Sequence, residues 1–300
     1  MTSETISIVI LMKNGAQYLH NLVKALSRQV TQEDIEVVVV DSGSTDGSVK
    51  LLRDLCDLHG VRLELASVAP ADFGHGRTRN HAIDMASGDI IAILSQDALP
   101  VSDHWLADLV RPFEDEAVAG VFGRQIARQS TRPCESLFYE LTYPTQKRRI
   151  GGSGGTSFSN LSLFFSNVNG AIRRSLALTF PFRDDLVMSE DQFWGRAVLE
   201  EGYSIIYEPD AAVVHSHDYT LSQLFKRYFQ SGYSLRQMGM RGSVVRGGAS
   251  SNLQLLRKVF SQSPRELPYS ALYLFVQGFA WLSGRYDLFP VRYRERLLRH

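Results

Sequence analysis

Cysteine is scarce in this chain: Cys56 and Cys134 are the only two, far apart in the 300 residues. That excludes a disulfide scaffold and a Cys-rich zinc site, and it suits a reducing compartment. Surplus charge is absent as well, because 32 Lys and Arg balance 32 Asp and Glu. A general nucleic-acid binder needs an excess of cations to displace counterions, so no nucleic-acid partner is expected. There is no long apolar run. The longest, Ala271 to Leu282, is interrupted by Gln277 and Gly278 and falls short of the ~20 residues that span a bilayer. A secretion signal is missing too: the first residues are polar, and Ile6 to Met12 is too short for an apolar signal core. A cytoplasmic protein is therefore expected, with any membrane contact made from its surface. There is no internal repeat. What remains is 44% hydrophobic, enough for one large core or two modest ones.

The first hundred residues alternate between two periodicities. Ile6 to Met12, Val37 to Val40, Val61 to Leu65 and Ile90 to Leu94 read as buried strands. Between them, Leu19, Leu22, Val23 and Leu26 recur at helical spacing, and further helices are predicted over about 48–59 and 75–86. Continuous β-branched runs separated by helices imply parallel strands covered on both faces, an α/β doubly wound unit. Ligands in such sheets lie at the carboxyl ends of the strands. That gathers Met12 to Asn14, Asp41 to Gly43 and Ser95 to Asp97 around one crevice. After about residue 115 the pattern loosens. Gly151 to Thr156 reads either as a surface loop or as a mobile segment closing over substrate. Order returns from Leu163 to Asn169, with a helix over about 191–201 and a strand near 204–207. A helical stripe from Leu221 announces a helical C-terminal third.

Five constellations carry chemistry. In Asp41-Ser42-Gly43-Ser44-Thr45-Asp46-Gly47-Ser48, Asp41 suits either a nucleoside's hydrogens or a turn, while Asp46 and Ser48 suit capping of the next helix. In Phe73-Gly74-His75-Gly76-Arg77-Thr78-Arg79-Asn80, two glycines permit close backbone approach, and Arg77 and Arg79 offer planar forks to phosphate oxygens or a solvated helix start. Asp97, in Ser95-Gln96-Asp97, follows a buried strand, where a carboxylate is costly unless paired or bound to a hard cation; helix capping is its other reading. Glu190 and Asp191 stand at a helix start, where only one can face a given site; Asp191 is the expected general base. His215 and His217 alternate on an extended segment and so share a side, as metal or phosphate contacts would.

In this order and spacing the motifs resemble the inverting, GT-A-fold glycosyltransferases of family 2, which use nucleotide-sugar donors. The bacterial rhamnosyltransferase branch is the most similar. Its carriers here are Phe73-Gly74-His75-Gly76-x-Thr78-Arg79-Asn80, Ser95-Gln96-Asp97-Ala98-Leu99-Pro100, Ser189-Glu190-Asp191-Gln192, and Tyr207-Glu208-Pro209 running into His215-Ser216-His217. The resemblance covers about residues 6–220. It implies a Rossmann-like, mostly parallel central sheet over 1–220, with a donor half of about 1–115 and an acceptor half of about 116–220. A helical region over 221–300 would associate with a membrane or form oligomers.

The resemblance also implies roles. Asp191, with Glu190, would be catalytic. Met12, Asn14, Asp41, Gly43, Gly74, Arg77, Arg79, Asn80, Gln96 and Asp97 would bind the donor. Asn167, Asn169 and Trp194 would face the acceptor, although burial in the core is the favoured role of the Trp194 ring. The family commonly shows Asp-x-Asp where Ser95 stands here, leaving Asp97 alone. His217 is then the expected second ligand of a divalent Mg or Mn ion; alternatively Arg77 and Arg79 neutralise the diphosphate. The reaction expected is transfer of L-rhamnose from dTDP-β-L-rhamnose, with inversion, to a glycan or lipid-linked oligosaccharide acceptor in O-antigen-type polysaccharide synthesis. The apolar stretch 271–282 and the basic residues 285–300 suit peripheral contact with the inner face of the cell membrane, a homo-oligomer interface or simply a packed final helix. The competing functions are a nucleotidyltransferase that makes the nucleotide sugar, whose Gly-rich basic phosphate loop is missing from residues 10–15, and a non-catalytic carbohydrate-binding protein.

Overall fold

The four β-branched runs become four neighbouring parallel strands. A computed structural model describes residues 5–156, 165–237 and 243–298. In it β1 (Thr5–Met12), β2 (Asp34–Asp41), β3 (Leu63–Ser67) and β4 (Ile90–Leu94) lie in the order β3-β2-β1-β4. Alternation splits each run between two buried faces. Ile6, Ile8, Ile10, Met12, Val37 and Val39 pack under α1 (Ala16–Leu26) and α2 (Ser48–His59) through Leu19, Leu22, Leu52 and Leu55. Val9, Val38, Val40, Ile91 and Ile93 face α3 (His75–Met85) through Ala82 and Ile83. Burial on both faces is why the strands read as unbroken apolar runs.

Beyond β4 the sheet becomes mixed. It continues through β8 (Asn169–Arg173), β6 (Val118–Ile126), β9 (Ser204–Val214) and β5 (Leu99–Pro100), with β7 (Arg148–Gly151) on β9. Helices α4 (Trp105–Val110), α5 (Pro133–Thr142), α6 (Arg174–Thr179) and α7 (Glu190–Glu200) occupy the connections. Both main core clusters draw on strands from either side of residue 115, so the sheet is continuous across that point. The glycine-rich segment 151–156 is a hydrogen-bonded turn. The Gly151 amide donates to the Thr156 carbonyl at 3.0 Å and the Thr156 amide to the Arg149 carbonyl at 2.9 Å, while Gly151, Gly152 and Gly154 all adopt positive φ. Of the order expected from residue 163 onward, the first two residues lie outside the described ones.

The C-terminal third is helical as expected: α8 (Leu221–Gln237), α9 (Ser243–Gln262), α10 (Leu267–Tyr286) and α11 (Val291–Leu298). Glycines let α8 and α10 touch backbone to backbone. A Cβ on Gly232 would stand 2.1 Å from the Trp281 carbonyl, and one on Gly284 2.0 Å from that of Phe229. These helices share a small core with α5, built on Cys134, Leu137, Leu224, Tyr273 and Leu274. Both cysteines are buried free thiols. On its outer side α10 leaves Leu272, Phe275, Phe279, Leu282 and Tyr286 exposed at alternating three- and four-residue steps, which is one helix face. Among the described residues no helix is long and apolar enough to cross a membrane.

Candidate functional site

One rim of the crevice is a closed set of hydrogen bonds. The first amides of a helix have no partners within it. Here four successive amides leading into α1 are taken by side chains from neighbouring loops: Lys13 by Gln96 Oε1 (3.1 Å), Asn14 by Ser44 Oγ (2.7 Å), Gly15 by Ser48 Oγ (2.9 Å) and Ala16 by Asp46 Oδ2 (3.1 Å). Gln96 completes its clamp by donating Nε2 to the Lys13 carbonyl at 3.0 Å. Asn14 adopts the left-handed conformation (φ 48°) and accepts the Thr45 amide at 2.9 Å. Asp41 proves to be a turn residue. Its Oδ2 accepts the amides of Gly43 and Ser44, each at 3.0 Å, and Oδ1 accepts the Ser44 hydroxyl. Gly43 turns with φ +84° under Pro70, whose Cγ lies 2.6 Å from where a Cβ would stand. Met12 contributes its carbonyl to Ser42 and buries its side chain in the core.

The acidic pair stands at the start of α7. Ser189, with φ 66°, turns the chain into α7 and presents Glu190 and Asp191 in the first turn. Glu190 is buried and accepts Arg79 Nη1 at 2.6 Å and Asn167 Nδ2 at 3.3 Å. Burial opposes its charge, but the Arg79 guanidinium and His75 outweigh that and hold its carboxyl below the usual range. Asp191 is pushed the other way, up to about 6, by burial and then by the neighbouring Glu190 charge. It accepts the amides of Asn167 (3.2 Å) and Gln192 (2.8 Å).

A third group closes the site. β4 and β8 run antiparallel with Leu94 opposite Asn169, and the Ser95 amide donates to the Val168 carbonyl at 3.0 Å. The residues after β4 therefore lie beside Asn167, which holds Asp191. There Asp97 Oδ2 stands 3.6 Å from His215 Nε2 and 3.8 Å from His217 Nδ1. All three donor atoms fall within 4.8 Å of one another. Both imidazoles are held below their ordinary value, chiefly by burial, so they are neutral near pH 7. Gln125 Nε2 faces Tyr143 Oη (2.8 Å) and Ser166 Oγ (3.2 Å), which turns its Oε1 to His215 Nδ1 at 2.9 Å. His215 thus keeps its proton on Nδ1 and aims the Nε2 lone pair at Asp97. One carboxylate oxygen and one nitrogen from each of two neutral imidazoles converge there. This donor set fits a divalent first-row transition ion such as Mn better than the all-oxygen preference of Mg.

Several expected roles need correction. Arg79 is no free phosphate fork, because its guanidinium is committed to buried Glu190. Arg77 is exposed and reaches towards Asp184 at 3.9 Å. Asn80 pins α3 to the segment before α7, exchanging hydrogen bonds with both backbone groups of Phe182 at 2.8 and 2.9 Å. Gly74 is the N-cap of α3, and the close approach at Gly76 is to the Arg183 carbonyl, 2.0 Å from a would-be Cβ. Asn169 and Trp194 do not face an acceptor. Asn169 is fully buried, accepting Trp105 Nε1 and donating to the carbonyls of Arg124 and Ala211. Trp194 packs in the core against Phe165 and Phe182. Asn167 orients the acids. Two residues near the site, Arg128 and Arg227, carry no signal in the sequence. Arg128 Nη2 donates to the Asp97 carbonyl at 2.7 Å and lies 3.8 Å from its carboxylate. Arg227 of α8 lies over the Tyr219 ring, 5.6 Å from its centroid, and its charge acts on both His217 and Asp191. His215 stands with His217 beside Asp97, on the shared side that their alternation signalled.

Comparison with known proteins matches this fold. The family model for Glycosyl transferase family 2 matches residues 7–177, more than half of the chain. The chain is 28% identical over 290 residues to the O-antigen chain rhamnosyltransferase RfbN of Salmonella typhimurium, spanning 94% of this chain and 90% of that protein. It is 28% identical over 265 residues to the O-antigen chain rhamnosyltransferase WbaN of Salmonella anatum, spanning 85% and 81%. The mannosyltransferase PcManGT from Pyrobaculum calidifontis, solved in complex with GDP-Man and Mn2+, superposes with a TM-score of 0.67 over 96% of this chain and 88% of its own, at 18% identity. Residues 1-349 of S. aureus TarS superpose with a TM-score of 0.57 over 98% and 83%, at 14% identity. At such identities the likeness is one of fold.

Proposed function

The chain belongs to glycosyl transferase family 2 and has its GT-A fold, and from that premise we propose that it is an inverting rhamnosyltransferase. Its donor would be dTDP-β-L-rhamnose and its acceptor a hydroxyl of a growing or lipid-linked cell-surface glycan. Similarity along most of the chain to two O-antigen chain rhamnosyltransferases supports the sugar. The observation that carries the reading is Asp191: a carboxyl pushed up to about 6, fixed by two amides, at the same end of the sheet as the Asp97 cluster. Asp191 takes the acceptor hydroxyl's proton as that oxygen attacks the anomeric carbon from the side opposite the diphosphate. Ionised Glu190, locked to Arg79, keeps the proton affinity of Asp191 high and its carboxylate in place. A divalent cation held by Asp97, His215 and His217 would supply Lewis-acid stabilisation of the leaving diphosphate. Arg128 and Arg227, in place of Arg77 and Arg79, offer fixed positive charge beside that position. On this reading the donor is served mainly by residues before about 115 and the acceptor by later ones.

The exposed stripe of α10, next to α11 with Arg292, Arg294 and Arg296, supports peripheral contact with an anionic bilayer. Flotation with phosphatidylglycerol vesicles checks it: loss of binding in Phe275→Glu is expected, and equal binding to neutral vesicles counts against it.

The deciding test offers the pure protein dTDP-L-rhamnose, UDP-glucose, UDP-GlcNAc and GDP-mannose, with thermal shift and donor hydrolysis as readouts. Only dTDP-L-rhamnose is expected to stabilise the protein and be hydrolysed, and excess chelator is expected to stop hydrolysis. Preference for another donor overturns the sugar assignment. Full hydrolysis in chelator removes the cation.

A further inference from the structure

Between the start of α5, the segment 217–220 and the start of α10 lies a cleft of about 330 Å³. That is within the ~300–1,000 Å³ span of small-molecule sites. Its walls include Tyr219, Tyr269 and Tyr273 together with Glu135, Asp218 and Arg132. Arg132 is already engaged, lying over the Tyr269 ring at 4.1 Å and 3.7 Å from Glu266. The lining offers no second cation to hold a phosphate or diphosphate. A neutral, hydroxylated ring suits both kinds of wall: its C–H face stacks on tyrosine and its hydroxyls donate to carboxylate oxygens.

Position narrows the occupant further. Tyr219 is a wall shared with the site above, since its ring lies 4.8 Å from that of His217. The Glu135 carboxylate accepts the backbone amide of His217, which ties the cleft floor to the same strand end. A ring seated here borders the Asp97–His215–His217 cluster. Asn169 and Trp194, where acceptor contacts were expected, are core residues. Tyr269 and Tyr273 come from α10, the helix that also bears the exposed apolar stripe.

We propose that this cleft is an acceptor subsite that seats a neutral pyranose of the receiving glycan. The assignment rests on the glycosyltransferase reading of Asp97 and Asp191. It is tested by saturation-transfer NMR with methyl pyranosides of gluco, galacto, manno and L-rhamno configuration, alongside hydrolysis of dTDP-L-rhamnose. At least one glycoside is expected to bind. Tyr269→Ala is expected to weaken that binding about ten-fold, whereas Tyr269→Phe keeps the ring and stays within about two-fold. Ser130→Trp, at the exposed rim, fills the cleft and should also abolish the signal. Unchanged binding in both Tyr269→Ala and Ser130→Trp overturns the subsite, as does the absence of binding by all four glycosides while the donor is hydrolysed. Absence of donor hydrolysis in the unmodified protein overturns the transferase reading instead.

Discussion

The rim and the floor of the crevice treat polar groups in opposite ways. At the rim, every amide from Lys13 to Ala16 has a side-chain acceptor, and Asp41, Asp46 and Gln96 spend their oxygens on backbone. On the floor, the Asp97 carboxylate faces two neutral imidazole nitrogens at distances too long for hydrogen bonds, and Asp191 sits beside an ionised neighbour. Saturated groups hold a shape; groups left facing one another await a proton, a cation or a substrate. Acidic residues at strand ends look alike in sequence, and their partners separate the two classes.

The sharpest way to break the comparison is Asp191→Asn. If the floor does chemistry, transfer should fall by roughly 10²–10⁴-fold while the variant still binds dTDP-L-rhamnose by thermal shift. The unmodified enzyme should show the same group in its pH profile. Asp191 is protonated and idle below about 6, so the rate should climb as pH rises through about 6 and then level. Retained turnover in Asp191→Asn would place the base elsewhere.

Arg79→Met probes whether the floor also stores stability. It strands the buried Glu190 charge, a loss of about 3–5 kcal/mol for a broken buried pair, reduced to the extent that Glu190 takes up a proton. Since the native pair holds the Glu190 carboxyl low, its stabilisation is present above the ordinary carboxylate value and disappears as pH falls through the lowered one. Urea unfolding should therefore show the largest gap between the two proteins near pH 7 and a closing gap in acid. Neutral Glu190 would also stop raising Asp191, so the acid limb of the rate should move to lower pH. A variant as stable as the parent at pH 7 would mean that the pair is worth no more than a surface bridge.

Much of this contrast is legible in the sequence. Strands β1 to β4 and helices α1 to α3 announce themselves because both sheet faces are buried, leaving unbroken β-branched runs between stripes of helical spacing. Asp97, Asp191 and the two histidines were legible because carboxylates and imidazoles at strand ends and helix starts are few. Partnership was not. Nothing in the order of residues says that Arg79 reaches Glu190, 111 positions away, in preference to solvent. Strands β6 and β8 escaped because Gly120, Gly123 and Gly170 interrupt the apolar pattern; these glycines answer to neighbouring chains, such as the Ala211 carbonyl 1.9 Å from a Cβ at Gly123. With β6 unread, Gln125 and Arg128 were invisible. Asn169 was misplaced because a polar side chain near a motif looks functional until its buried partners are seen, whereas Trp194 took the core role that its ring favours.

The smallest effect is the one that tests the rim. Ser48→Ala removes the buried acceptor of the Gly15 amide and a donor to the exposed Asp46. An orphaned buried amide costs roughly 1–3 kcal/mol, partly relieved if the loop shifts to bring Asp46 closer. Thermal unfolding should fall accordingly, while kcat, measured well below the transition, stays within about two-fold because no group of Ser48 is left facing the crevice. The opposite pattern, lost donor binding with unaltered unfolding, would mean that the rim contributes to recognition, and that saturation by neighbours does not disqualify a residue from meeting substrate.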